Sequence, residues 1–213
     1  MSKVIGFIGS PRKSGNTSSI VNEVLRGASE NGASVKVYHL DELDIKGCKG
    51  CLYCRKHEGC AIKDDMQAIY TDLKDADALV IGSPVYICQV SGQTKIMLDR
   101  FYPLTTNTHK PRFGNKKVVT VYSHAAPLPG FFSQYMDYTE KHLKPMGLNI
   151  IKRIIATRAV DRDTASKNRK LMDEAYGTGK ALATGIPAYS HESFIKRFLK
   201  RLKGSKHTEV NYG

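Results

Sequence analysis

The sequence predicts an α/β protein, a doubly wound parallel sheet of five strands with helices on both faces. Short apolar runs alternate with longer amphipathic stretches along most of the chain, the pattern of consecutive βα units. The chain has 213 residues, 41% hydrophobic and 25% charged, enough for one domain with a real core and too apolar for disorder. A polar, hydroxyl-rich segment follows the first apolar run directly, where such a sheet presents its first βα loop.

The elements follow in order. Residues 4–8 are a buried strand, and residues 17–30 a helix with Ile20, Val21, Val24 and Leu25 on one face. Asn31-Gly32 closes that helix. Residues 34–40 alternate Val35, Val37 and His39 against Lys36 and Tyr38, a second strand. Residues 47–61 have no period and read as a cysteine-rich loop after strand two. Asp64-Asp65 opens a helix running to about residue 76, its acids suited to the positive end of the helix dipole. Residues 77–82 are a third strand and 93–102 a third helix. Residues 118–122 form a fourth strand, 131–144 a helix stopped by Pro145, and 148–156 a fifth strand. A long helix over 163–183 and a basic amphipathic helix over 192–203 complete a single domain, 1–204, with a loose tail at 205–213.

Composition narrows the function classes. No apolar run approaches the length of a membrane span. The N-terminus is too short for a signal peptide and reads as strand, so a cytoplasmic protein is expected. The net charge is +13, and residues 152–206 carry fourteen Lys/Arg against five Asp/Glu. Nucleic acid, an anionic membrane surface and an acidic protein all match such a balance. In the last helix Ile195, Phe198, Leu199 and Leu202 face away from Lys196, Arg197, Lys200, Arg201 and Lys203. That face suits anionic lipid, although docking on the fold or on a neighbouring subunit is the commoner use. A basic nucleic-acid or membrane-surface module stays a minor alternative, and the leading expectation has no nucleic acid and no membrane span.

The loop after strand one reads Gly9-Ser10-Pro11-Arg12-Lys13-Ser14-Gly15-Asn16-Thr17-Ser18-Ser19. It runs straight into a helix, whose N-terminus offers unpaired N–H groups and partial positive charge. Hydroxyls, an amide and two cations add to these, which makes the loop a phosphate site by chemistry. It has neither P-loop nor Gly-x-Gly-x-x-Gly spacing. The competing reading is an ordinary polar turn with a Ser/Thr cap.

Four of the five cysteines lie close together, as Cys48-x2-Cys51-x2-Cys54-x5-Cys60. Thiols spaced by two residues wrap closely around one object, as ligands of a 4Fe-4S cluster do, each holding one corner of the cube. A structural zinc site uses two separated Cys pairs. One zinc ion and four free thiols are the competing readings. Cys88 stands alone and reads as a buried apolar thiol.

The loop over residues 9–17 resembles the FMN phosphate loop of the flavodoxin-like NAD(P)H-dependent FMN reductase superfamily. Gly82-Ser83-Pro84-Val85-Tyr86, then Ser91-Gly92-Gln93-Thr94-Lys95 and Asp99-Arg100, is similar to that superfamily's second flavin segment. The resemblance spans residues 3–183 and implies a flavodoxin-like sheet of order 2-1-3-4-5. In that order the switch point, where ligands bind, lies between strands one and three. The expected flavin-binding residues are Ser10, Arg12, Ser14, Asn16, Thr17, Ser18, Ser83, Pro84, Val85, Tyr86 and Ser123. Tyr86 alone would as readily be a surface aromatic. His124, in the far wall, reads as a flavin or substrate contact or as a hydrogen-bonded structural histidine.

The cysteine loop, with Lys63-Asp64-Asp65-Met66 after it, resembles the iron–sulfur flavoproteins of anaerobic archaea and bacteria. That implies FMN and one 4Fe-4S cluster in a subunit, with Cys48, Cys51, Cys54 and Cys60 as ligands and no catalytic acid or base. It also implies electrons taken from ferredoxin or a similar donor and passed to a small-molecule oxidant, in a homodimer or homotetramer. The basic surface suits steering of an acidic ferredoxin. The alternative is an NAD(P)H-dependent FMN, quinone or nitro reductase in which the cluster is secondary or absent.

Overall fold

The computed structural model describes residues 1–184. The helix expected at 192–203 and the tail at 205–213 lie outside the described residues. The elements run β1 (Lys3–Ile8), α1 (Asn16–Ser29), β2 (Ser34–His39), α2 (Tyr53–Lys56), α3 (Met66–Asp75) and β3 (Ala78–Tyr86). They continue with β4 (Gln89–Val90), α4 (Gly92–Asp99), β5 (Lys116–Ser123), α5 (Ser133–Leu143), β6 (Leu148–Ala156), α6 (Thr164–Lys167) and α7 (Arg169–Thr184).

The long strands form a parallel sheet of order β2-β1-β3-β5-β6, the expected flavodoxin-like arrangement. The reversal of order lies between β1 and β3, which pair from Val4↔Ala78 to Ile8↔Gly82. Central strands covered on both faces read as continuous apolar runs. Val4, Ile5, Phe7 and Ile8 of β1, and Leu79, Val80 and Ile81 of β3, are accordingly buried. On one face α1 and α7 cover Val4, Ile8, Val80, Val119 and Val121. Gly27 and Gly179 let those helices approach closely: a Cβ at Gly179 would strike the Val24 carbonyl, and one at Gly27 that of Tyr176. On the other face Met66, Ile69 and Leu73 of α3 and Met97 of α4 pack with Phe101 on Ile5, Phe7, Leu79 and Ile81.

Several elements differ from expectation. β3 runs past residue 82 to Tyr86 and returns through β4 as an antiparallel hairpin. Pro84 sits inside this strand opposite Ser123 of β5, at a position that asks for no N–H donor. The cysteine loop holds one helical turn, α2. The helix after it begins two residues later than expected, at Met66, whose N–H donates to Asp64 Oδ1 (3.2 Å), while the same carboxylate turns inward to pair with Arg100 (2.6 Å). The long C-terminal helix breaks at Asn168, whose side-chain oxygen accepts from the Leu171 N–H (3.2 Å) and starts α7. Among the described residues no helix is long and apolar enough to cross a membrane.

Candidate functional site

Two cavities concentrate the chemistry. The first lies at the carboxyl ends of β1, β3 and β5. There the Gly9 N–H donates to the Gly82 carbonyl (2.8 Å) and Ser91 Oγ donates to the Gly9 carbonyl (2.6 Å). A Cβ at Gly9 would collide with Thr94 Oγ1, so only glycine lets the loop leave the strand this close to α4. The loop then folds on itself. Ser10 Oγ accepts from the Arg12 N–H (3.2 Å), and the Arg12 carbonyl accepts from Ser18 Oγ (2.8 Å) and the Gly15 N–H (3.2 Å). Gly15 caps α1 in extended conformation with no side-chain cap. The first-turn N–H groups therefore stay unpaired at the positive end of the helix dipole.

Eight of the eleven expected flavin residues line this cavity of about 230 Å³: Ser10, Arg12, Asn16, Thr17, Pro84, Val85, Tyr86 and Ser123. Thr17 Oγ1 and Ser123 Oγ join across it at 2.7 Å. One hydroxyl proton is spent in that bond and the other is free for a ligand. Asn16 lies at the wall with its amide already committed: Nδ2 donates to the Asp161 carbonyl (2.7 Å) and Oδ1 accepts from the Ala165 N–H (2.8 Å). Three expected residues do not line it. Ser14 is exposed and Ser18 is spent inside the loop. Ser83 braces the second loop, donating to the Pro84 carbonyl (2.8 Å) and accepting from the Ser91 N–H (2.9 Å).

Tyr86 begins the hairpin tip and is half exposed. The tip residues Ile87 (φ 44°) and Cys88 (φ 64°) are both left-handed, as a tight two-residue hairpin requires. A β-branched residue there is strained, and Ile87 is 94% exposed. Cys88 is exposed, not the buried thiol expected, because the turn throws it outward. His124 also lines the cavity, 3% exposed, its Nδ1 3.2 Å from the Ala126 carbonyl and its Nε2 buried without a partner. Nδ1 must carry the proton to make that bond. Burial pushes the ring below its ordinary pKa against the weaker pull of the carbonyl. Sequence reading missed Arg162 and Ala159, which close the cavity from the loop after β6. Their one sequence signal is the arginine pair Arg158 and Arg162 just past the fifth strand.

The second cavity, about 30 Å³, is rimmed by Cys48, Cys51, Cys54 and Cys60 together with Arg100 and Tyr102. Leu52 turns left-handed (φ 56°) and starts α2, which brings Cys51 and Cys54 to the same opening. Cys54 is buried, Cys60 half-buried, and Cys48 and Cys51 exposed. Arg55 stacks on the Tyr102 ring at 3.8 Å and donates to the carbonyls of Thr105 (3.0 Å) and Thr106 (2.7 Å). Its Nη2 stands 4.0 Å from Cys54 Sγ.

Both cavities fit absent groups. The first offers unpaired N–H groups, hydroxyls and two arginines for a phosphate, beside a proline-stiffened loop for a ring. In the second, four soft thiols share one opening, which suits an object with several corners. Arg55 and Arg100 each bury an Nε–H without a partner nearby, and Arg55, unlike the Asp64-paired Arg100, would offer positive charge to an anionic group held there. Among the described residues no three His, Cys, Asp or Glu side chains, the four thiols included, stand close enough together to hold a metal ion. The enclosed space, about 30 Å³, admits about two waters.

Comparison with known proteins agrees. Residues 2–144 match the family model for NADPH-dependent FMN reductase. An iron-sulfur flavoprotein of Methanocaldococcus jannaschii is 41% identical over 102 residues, 48% of this chain and 53% of the relative. One from Archaeoglobus fulgidus is 34% identical over 118 residues, 55% of this chain and 54% of the relative. The chain thus spans about half the length of the curated relatives it matches. Among solved structures, RosB with a bound 8-demethyl-8-formylriboflavin-5'-phosphate intermediate superposes with a TM-score of 0.67 at 13% identity, covering 100% of this chain and 92% of that one. The NAD(P)H:quinone oxidoreductase of Methanothermobacter marburgensis gives 0.63 at 15% identity, covering 85% and 96%. At those identities the likeness shows the fold alone. With a parallel sheet of flavodoxin-like order and a family match over most of its described residues, this chain belongs to the NADPH-dependent FMN reductase family.

Proposed function

We propose that the chain is a redox flavoprotein that holds FMN in the cavity at the sheet's carboxyl edge and a 4Fe-4S cluster on Cys48, Cys51, Cys54 and Cys60. The observation that carries this reading is the sorting of residues: the phosphate-loop side chains ring one cavity, and all four clustered cysteines ring another in the same subunit. The iron-sulfur flavoprotein relatives support it. When bound, the flavin supplies one- and two-electron exchange and the cluster one-electron exchange. The protein binds and positions. The α1 N-terminus, Arg12, Arg162 and the Thr17–Ser123 hydroxyls take the phosphate, and Pro84, Val85 and Tyr86 border the ring. No side chain needs to move a proton. Reduced ferredoxin or a similar acidic donor is steered by the +13 charge, and a small-molecule oxidant receives the electrons. Assembly as a homodimer or homotetramer belongs to the same reading.

Anaerobic purification, with flavin spectrum, iron and sulfide assay and EPR, is the test. Flavin with about four irons per chain is expected. Cys54→Ala then loses iron and keeps flavin. A yellow chain that takes up no iron after reconstitution sinks the cluster. It leaves the second reading, an NAD(P)H-dependent FMN, quinone or nitro reductase, which the family match favours. Rapid bleaching of the flavin by NAD(P)H is that reading's signature.

A further inference from the structure

We propose that Asp64 and Arg100 are positioning residues that clamp the cysteine loop shut and tie it to the helix behind the second cavity-lining loop. The inference rests on the cluster reading for its purpose but on geometry for its existence. Asp64 lies four residues beyond Cys60, and Lys46 two before Cys48. The Lys46 N–H donates to Asp64 Oδ2 (3.0 Å), while Arg100 donates to the Lys46 carbonyl (2.7 Å). Arg100 also grips both Asp64 oxygens, at 2.6 and 3.0 Å. One step out, Asp44 and Asp65 close the same stem, the Asp44 N–H donating to Asp65 Oδ2 (2.8 Å).

The pair is sealed from water, with side-chain exposures of 1% for Arg100 and 0% for Asp64. A buried pair of this kind is poor evidence of net stability and better evidence that a geometry must be specified. The geometry specified is that of the cysteines, since Arg100 itself lines their cavity. Arg100 follows α4 directly, and Ser91, which caps the start of α4, pins Gly9 of the loop after β1. The clamp thus connects the two cavities through one rigid helix. Tyr70 secures the far end, its hydroxyl donating to the Arg100 carbonyl (2.6 Å).

Three readouts on the full chain test the clamp. In iron-free protein, trypsin cleavage at Lys49 and Lys56, both exposed, is timed by mass spectrometry against cleavage at Lys141 outside the loop. Asp64→Asn and Arg100→Lys should each speed loop cleavage about tenfold, and the double variant no further, because both act on one element. After reconstitution, iron release to a chelator should run about 10- to 100-fold faster, as with lost outer-shell support. The EPR-monitored potential should rise in Asp64→Asn, which leaves the guanidinium unbalanced at the cavity wall, and stay near wild type in Arg100→Lys, which keeps the charge. A merely structural pair would loosen the loop without that signed difference. Asp64→Asn retains an acceptor for Lys46 and Arg100, so it alone carries the test if Arg100→Lys fails to fold. Loop cleavage unchanged in Asp64→Asn overturns the clamp. A wild-type chain that takes up no iron defeats the cluster reading instead, while the cleavage rates still decide the clamp.

Discussion

The sheet-edge cavity hangs from the carboxyl ends of β1, β3 and β5, whereas the cysteine cavity stands off the sheet and is held by side chains. In the first, backbone register does the placing: strand pairing from Gly82 to Pro84 against β5 brings the Pro84 loop beside Ser123. Single hydroxyl bonds then finish the job. In the second there is no ladder, and Arg55, Arg100 and Arg112 reach from side-chain termini to loop carbonyls. The lesson concerns where cooperativity resides. A site built on strand register is as firm as the core beneath it, while a site built on guanidinium contacts is as firm as a few buried charges.

The largest effect should therefore come from the cysteine side. Arg100→Met strands the Asp64 carboxylate in the interior and should remove about 3–5 kcal/mol of stability, read by urea unfolding. Thr17→Val deletes one hydroxyl bond at the other cavity and should remove about 1 kcal/mol. Equal losses would break the contrast between the two modes of construction.

A smaller effect separates charge from register within the sheet-edge cavity. Arg12 and Arg162 both border it and are exposed. Replacing either by Ala should weaken FMN about tenfold, or about 1.4 kcal/mol, at low salt. The deficit should shrink as salt screens the lost cation, whereas the Thr17→Val deficit should not. Fluorescence titration of released flavin measures both. A salt-independent Arg162 deficit would mean that Arg162 shapes the wall and does not meet the phosphate.

The same contrast explains what was legible from sequence. The alternation of strands and helices was readable because local pattern encodes it: an apolar run, a hydroxyl-rich turn, a helix; the strand order was legible only through the family resemblance. The cysteines were readable because their spacing is itself the signal. The pairing of Asp64 with Arg100 went unread because the two lie 36 residues apart, although Asp64 does accept from the Met66 N–H at the start of α3, as its helix-dipole reading expects. Asn16 looked like a free phosphate donor because its contact with Ala165 spans 149 residues. Ser83 and Ser18 carry the right chemistry for a ligand and spend it on their own loops. The hairpin tip escaped notice because Ile87-Cys88 lacks the Asn or Gly that usually marks a two-residue turn.

The smallest effect is a pH dependence that should belong to the sheet-edge cavity. His124 is buried there, with Nδ1–H on the Ala126 carbonyl and no acceptor for a proton on Nε2. Burial holds its pKa below the ordinary value, which in the unfolded chain is about 6.5. Above that pH both states carry a neutral ring and His124 contributes no slope. As pH falls below it, the unfolded chain takes up a proton that the folded chain refuses, so stability declines with falling pH. The melting temperature of the wild type should accordingly drop as pH falls from about 6.5 toward 5.5, and His124→Gln should flatten that drop. An unchanged slope in His124→Gln would assign the dependence to other histidines and remove the last distinction between a cavity sealed by the core and one sealed by charge.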